Sequence, residues 1–267
     1  MKKMIVCIKQ IMDPEAPADA FHIDSAAKTL IPDPKAALVI SPFDEHALEA
    51  ALRIKEAEGG EITVLSLGTD LRREVLKKAL AMGADKLVLL EDEFFAGGDG
   101  SSTAAALAAA IKKMGAFDLI LCGRQAADWD SGQVGSGIAE LLALPSVTLA
   151  KKFEFEDGKG LIERVTADGF EVIETALPCL VTVSNELGEV RYPKLMGMMK
   201  AKKIAPTVWT LADIGLDASQ VGAAGRRSRL VGLFERVQEG MCEFVEAETE
   251  EEAGVHLALK LREAKIL

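Results

Sequence analysis

The chain predicts an α/β fold in which a doubly wound, mostly parallel sheet carries helices on both faces. Three observations predict it. Apolar-rich runs of strand length recur at Met4–Ile8, Ile62–Leu67, Lys86–Leu90 and Leu119–Cys122, the first of them continuous rather than alternating, as in strands buried on both faces. Segments with the apolar period of a helix alternate with these runs. Gly and Pro punctuate the segments, and in a sheet of this kind ligands sit beyond the carboxyl ends of the strands.

Met4–Ile8 opens the sheet. Met12–Pro34 is polar and Pro-rich, too irregular for regular elements apart from a short hairpin around Ala26-Ala27-Lys28. Ser41-Pro42-Phe43-Asp44 starts a helix, with Asp44 as its N-cap and Ala47, Leu48, Ala51 and Leu52 on its apolar face, and Gly59-Gly60 ends it. Ile62–Leu67 follows, closed by Gly68. Asp70 caps a second helix, with Leu71, Val75, Leu76, Ala79 and Leu80 on one side and Gly83 as its stop. After Lys86–Leu90, the turn Gly97-Gly98-Asp99-Gly100-Ser101-Ser102 leads into an Ala-rich helix over about Thr103–Met114.

Phe117–Pro145 carries the second strand-to-helix turn on the same edge. A strand over Leu119–Cys122 passes through a loop bearing Gly and Asp into a helix from about Gln133 to Leu144, stopped by Pro145. The first turn of a helix offers unpaired N–H groups and the positive end of its dipole, so a phosphate arriving there meets donors already in place. Gly132, Gly135 and Gly137 permit close backbone approach, while Asp128, Asp130 and Ser131 can either cap the helix or hydrogen-bond a ribose or adenine edge. No phosphate-loop pattern is matched, so spacing alone leaves both readings open.

Beyond Pro145, Val147–Phe155, Gly160–Thr166 and Glu171–Ala176 are extended segments joined at Asp157-Gly158 and Asp168-Gly169, two hairpin signals, and Pro178–Val183 adds an apolar strand. These read as antiparallel strands flanking the parallel sheet. Arg191–Lys203 is basic within an acidic chain and mixes Tyr, Leu and Met with Lys, the composition of a docking surface. Trp209–Arg229 reads as an extended arm with Arg226, Arg227 and Arg229. Thr249-Glu250-Glu251-Glu252 is a capping box opening a last helix to about Lys265. The division expected is an α/β nucleotide-binding domain over residues 1–205, with a docking loop at 184–203, and an arm and helix over 206–267 that either embrace a partner subunit or pack back on their own domain.

With 49% apolar and 27% charged residues and a net charge of -11, the chain is expected to be a cytoplasmic globular protein that neither binds nucleic acid nor inserts into a membrane. Four widely separated cysteines form no Cys-x-x-Cys pair, and the three histidines have no metal-ligand spacing. There is no nucleophile elbow, no Walker loop and no catalytic constellation, so any chemistry belongs to a cofactor.

Cys-Ile-Lys-Gln at 7–10, Ser-Pro-Phe-Asp-Glu-His-Ala-Leu-Glu-Ala-Ala at 41–51, Ala-Leu-Ala-Met-Gly-Ala-Asp at 79–85, Gly-Arg-Gln-Ala-Ala-Asp-Trp-Asp at 123–130, Gly-Gln-Val-Gly at 132–135, the region from Asp168-Gly169 to Pro178, and Arg191-Tyr192 with Met199-Lys-Ala-Lys-Lys203 together resemble the β subunit of electron transfer flavoproteins, nearly end to end. The resemblance implies a Rossmann-like fold of the adenine nucleotide alpha hydrolase type. It also implies a heterodimer with an α subunit carrying a redox FAD, and electrons drawn from an acyl-CoA-type or other flavin dehydrogenase. NADH, and ferredoxin or a quinone reductase, would join in members that bifurcate electrons. The nucleotide cradle it implies comprises Cys7, Ser41, Pro42, Phe43, Asp44, Ser66, Leu67, Asp99, Ser102, Thr103 and the run Gly123, Arg124, Gln125, Ala126, Ala127, Asp128, Trp129, Asp130, Ser131, Gly132, Gln133 and Val134. Gly132-Gln133-Val134 and Phe95-Ala-Gly-Gly-Asp99 resemble members that hold a second FAD; the alternative is AMP here with FAD in the α subunit alone. Arg191, Tyr192, Leu195, Met196 and Lys200 would contact the dehydrogenase, with Leu195 as the apolar anchor. A stand-alone adenine-nucleotide-binding protein is the reading from another class.

Overall fold

The computed structural model describes residues 2–17, 20–33, 36–235 and 242–267. The end of the segment expected over Met12–Pro34 and part of the arm, residues 236–241, lie outside the described residues.

In chain order the strands and helices are β1 (Lys2–Ile8), β2 (Gln10–Met12), β3 (Phe21–Asp24), β4 (Thr29–Pro32), β5 (Leu38–Ile40), α1 (Pro42–Glu58), β6 (Gly60–Gly68), α2 (Arg73–Met82), β7 (Lys86–Glu91), α3 (Gly100–Met114), β8 (Leu119–Gly123) and α4 (Val134–Leu142). Then come β9 (Ser146–Glu156), β10 (Lys159–Thr166), β11 (Gly169–Ala176), β12 (Cys179–Val183), α5 (Leu195–Lys203), β13 (Thr207–Trp209), the single turn α6 (Gly222–Gly225) and α7 (Glu250–Glu263).

Among the described residues a nine-stranded sheet runs in the order β11-β10-β9-β12-β8-β1-β6-β7-β13. Every pairing from β9 to β13 is parallel, and only β10 is reversed, pairing antiparallel with β9 on one side and β11 on the other. One apolar core, with Leu48, Leu52, Leu76 and Leu80, fills the face under α1 and α2; the other, with Leu107, Ile111 and Ile138, fills the face under α3 and α4. The doubly wound expectation is met, and the strand order reverses between β1 and β8. That crevice is where a sheet of this type takes its ligand.

Four local expectations are corrected. Ser41, not Asp44, is the N-cap of α1, because Pro42 enters the first turn and Asp44 faces inward. Arg72, not Asp70, precedes α2, and α3 starts three residues early, at Gly100, on an Asp99–Ser102 capping box. Of the segments read as antiparallel flanks, β12 is wholly buried between β8 and β9 and parallel to both, a place that its Cys179, Leu180, Val181 and Val183 suit. The hairpin expected around Ala26–Lys28 is β3–β4, and β2 and β5, at the two ends of the irregular segment, pair with each other. The arm begins inside the sheet, since β13 pairs with β7. No helix among the described residues is long and apolar enough to cross a membrane.

Candidate functional site

The carboxyl ends of β1 and β8 are joined by one carboxylate. Asp44, on the first turn of α1, accepts the Lys9 N–H at 2.8 Å and the Gly123 N–H at 3.1 Å. Gly123 is required there: a Cβ on it would lie 2.5 Å from Asp44 Oδ1 and 2.6 Å from the Phe43 backbone. Burial pushes the Asp44 carboxyl up to about 7, against the two N–H bonds and the Lys9 charge that favour ionisation. Ser41 closes the same edge, donating its N–H to the Lys9 carbonyl at 2.8 Å and accepting the Ala127 N–H on Oγ at 3.3 Å.

The loop after β8 is braced within itself. Lys9 Nζ meets Asp128 at 2.6 Å, Gln125 donates to Asp130 at 2.7 Å, and the Asp130 N–H reaches the Ala126 carbonyl at 2.9 Å. Asp130 and Gly132 take left-handed conformations, with φ of 51° and 61°. Trp129, held between two tied aspartates, is 59% exposed. Arg124 stacks over the Phe43 ring at 4.9 Å and donates to Asn185 at 3.3 Å. Cys7 and Cys122 lie in register on β1 and β8, both buried; the Cys7 contact, then burial, holds the Cys122 thiol well above its ordinary value.

Two buried polar atoms of this edge, Ser66 Oγ at the end of β6 and Arg124 Nε, have no hydrogen-bond partner; a third, Arg164 Nε, lies on β10, outside it. A buried polar group left unpaired costs about 1–3 kcal/mol, a deficit that a polar ligand here would relieve. These residues therefore fit an adenine nucleotide. Ser66 stands in register beside Ile8 of β1, and Leu67 continues β6 with its side chain half-buried.

The start of α3 faces the same loop. A Cβ on Gly100 would meet Gln133 Oε1 at 3.3 Å and Ser131 Oγ at 3.9 Å. Gln133 is the N-cap residue of α4 and Val134 its first helical residue. Asp99 Oδ1 accepts the Ser101 and Ser102 N–H groups, and the Thr103 N–H bonds to the Asp99 carbonyl. Asp99 Oδ2 accepts from the arm: the Arg227 and Ser228 N–H groups at 2.8 Å each and the Ser228 hydroxyl at 2.9 Å. Burial opposes ionisation of Asp99, but these donors outweigh it and hold its carboxyl well below the usual range.

The predicted residues thus fall into two groups. Cys7, residues 41–44, Ser66, Leu67, Asp99, Ser102, Thr103 and residues 123–134 converge on the carboxyl edge of the sheet. Arg191, Tyr192, Leu195, Met196 and Lys200 lie elsewhere, on and before α5. Arg191 is bound into α1, with Nε 2.8 Å from the buried Glu49 and Nη2 3.0 Å from Glu56. α5 packs on α2 so closely that a Cβ on Gly197 would lie 2.1 Å from the Ala81 carbonyl oxygen. From this mount Tyr192, Leu195 and Met196 stand 89%, 70% and 74% exposed. A cavity of about 490 Å³ lined by Pro42, Glu45, His46, Glu189, Val190 and Tyr192 adjoins this segment. Lys9, Asn185, Arg227 and Ser228 were not anticipated at the site. A lysine that breaks an apolar run at a strand's carboxyl end was a usable signal for the first; the others come from distant segments and leave none.

Comparison with known proteins places the chain beside redox carriers. The electron transfer flavoprotein domain family matches residues 30–214. The chain is 39% identical over 266 residues to the caffeyl-CoA reductase-Etf complex subunit CarD of Acetobacterium woodii, covering 99% of this chain and all of that one. It is 42% identical to an electron transfer flavoprotein subunit beta of Thermoanaerobacterium thermosaccharolyticum, over 85% and 86% of the two chains. A third relative, the electron transfer flavoprotein subunit beta of Clostridium acetobutylicum, is 35% identical over 97% and 98%.

Proposed function

This chain belongs to the electron transfer flavoprotein family, as a β-type subunit, and from that premise we propose that it pairs with an α subunit in the cytoplasm and serves electron transfer between a dehydrogenase and a downstream acceptor. Residues 1–205 hold an adenine nucleotide at the β1–β8 edge and carry the docking segment; residues 206–267 embrace the α subunit. The observation that carries the nucleotide reading is the pair of buried, unpartnered polar atoms at the switch point, Ser66 Oγ and Arg124 Nε.

FAD is the nucleotide we assign to this subunit, with AMP as the alternative. When bound, FAD supplies reversible electron storage that no side chain of this chain offers. The protein's own part is binding and orientation. Asp44 locks the ends of β1 and β8 together through Lys9 and Gly123, so the cradle is formed before the ligand arrives. The braced loop 123–133 and the start of α4, which no side chain caps, present backbone N–H groups to the phosphates. Arg191 fixes the docking segment against α1, and Leu195 and Met196 insert into an apolar pocket of the dehydrogenase. The likeness to a subunit of a caffeyl-CoA reductase complex supports an acyl-CoA-type redox enzyme as that partner. Gly132-Gln133-Val134 and Phe95-Ala-Gly-Gly-Asp99 favour a bifurcating arrangement, in which NADH delivers electrons and ferredoxin receives some of them.

The test is to purify the chain with its α subunit, release bound nucleotides in acid and identify them by chromatography and absorbance. Two FAD per heterodimer are expected. One FAD and one AMP would leave a single-flavin carrier, and no nucleotide would remove the site assignment altogether.

A further inference from the structure

We propose that Arg226, Arg227 and Arg229 of the arm form an anion clamp over the phosphates of the ligand at the β1–β8 edge. The proposal rests on the nucleotide reading above and adds to it the cations that the cradle lacks.

The difficulty is electrostatic. The chain carries a net charge of -11. Around the edge, the carboxyls of Asp44, Asp99, Asp128 and Asp130 are answered within the cradle by Lys9 and Arg124 alone, and Lys9 is already paired with Asp128. No lysine stands where a phosphate loop would place one. A phosphate entering this surroundings gains from helix starts but is opposed by the aspartates.

The arm corrects the balance, and the structure brings it there by name. Asp99 Oδ2 takes three donors from Arg227 and Ser228 while Oδ1 caps α3, so one carboxylate ties the arm to the start of that helix. The Ala223 N–H adds a bond to the Ala96 carbonyl at 2.8 Å. Gly222, at φ 54°, passes so near the Phe94 carbonyl that a Cβ would lie 2.0 Å from it. One residue beyond Asp99, a Cβ on Gly100 would meet Gln133 Oε1 of the nucleotide loop at 3.3 Å and Ser131 Oγ at 3.9 Å. The arm, the start of α3 and the loop therefore meet within a residue or two of one another, a gap that an extended arginine spans. All three arginines are exposed, and none has an ion-pair partner among the described residues. A planar guanidinium fork matches phosphate oxygens two at a time.

The experiment measures binding of adenosine, AMP and FAD to the full chain by titration calorimetry at two salt concentrations. It compares the native chain with Arg227→Gln and with the triple variant Arg226→Gln, Arg227→Gln, Arg229→Gln. The expected result is a loss of roughly 10- to 100-fold in AMP and FAD affinity for the triple variant, a smaller loss for the single one, a flatter salt dependence and unchanged adenosine binding. Unchanged AMP and FAD affinity overturns the clamp and leaves the arginines to a protein partner. An equal loss for adenosine overturns it too, as general damage to the cradle. A native chain that binds AMP and FAD no tighter than adenosine keeps the nucleotide reading and sinks the clamp, whereas one that binds none of the three sinks both.

Discussion

Asp44 is the residue whose sequence context says least about its work. Ser-Pro-Phe-Asp reads as a helix start, and the helix does start there, but the carboxylate turns inward to hold two strand ends that are far from it in sequence. Burial raises its folded-state pKa from 3.8 to about 7. Between those values the folded chain keeps a proton that the unfolded chain gives up. Its contribution to stability is therefore full below about pH 4 and is lost as pH rises through about 7. The unfolding free energy in urea, native minus Asp44→Asn, should fall across that window in nucleotide-free protein; a difference that stays flat would show that Asp44 does not titrate there. Arg191 teaches the complementary lesson. Its place in a basic, exposed-looking run suggested contact with a partner, whereas its guanidinium is occupied by Glu49 and Glu56 of α1. Burial works against the Glu49 charge, but the bonds from Arg191 and Arg53 prevail and keep its carboxyl below the ordinary value.

At the scale of elements, the docking segment separates mount from tip. Gly197 and Ala201 seat α5 on α2, and Leu195 and Met196 remain in solvent. Leu195→Ala should therefore leave the chain's stability within about 0.5 kcal/mol. Loss of a buried apolar anchor at the dehydrogenase interface should still raise the concentration of carrier giving half-maximal reduction by about tenfold or more. Steady-state titration of the dehydrogenase with the carrier reads this, and an unchanged curve would remove Leu195 from the interface. The strands and helices of the parallel half were legible because each carries its own period and its own stop. β12 was legible as a strand but not in its place, since a five-residue strand with four apolar residues fits either edge or centre until its neighbours are known. α3 was placed late because Gly100 and Ser101 have poor intrinsic helix propensity, and only the bonds to Asp99 draw them into the first turn.

For the whole molecule, the ligand edge is where the sheet reverses order, and the arm returns from residues 221–229 to close against it. A nucleotide that binds only this folded arrangement stabilises it by mass action, by about 2.7 kcal/mol at a hundredfold excess over its dissociation constant. Stripping it should lower the melting temperature on the order of 5–10 °C, read by calorimetry before and after acid-free removal, and restored by adding the nucleotide back. No change on stripping would deny the ligand a structural role. By itself, the sequence determined the alternation of strand and helix, the pairing of two strand-to-helix turns on one edge, the hairpin of β10 and β11, and the composition of the docking segment. These depend on periodicity and turn chemistry, which act over a few residues. The tertiary structure alone decided that Asp44 bridges β1 and β8, that Lys9 answers Asp128, that Ser66 and Arg124 are left with unpaired polar atoms, and that Asp99 is shared between α3 and the arm. Each of these joins segments separated by dozens of residues, and which polar group meets which is set by the order of strands in the sheet, a long-range property that no local pattern encodes.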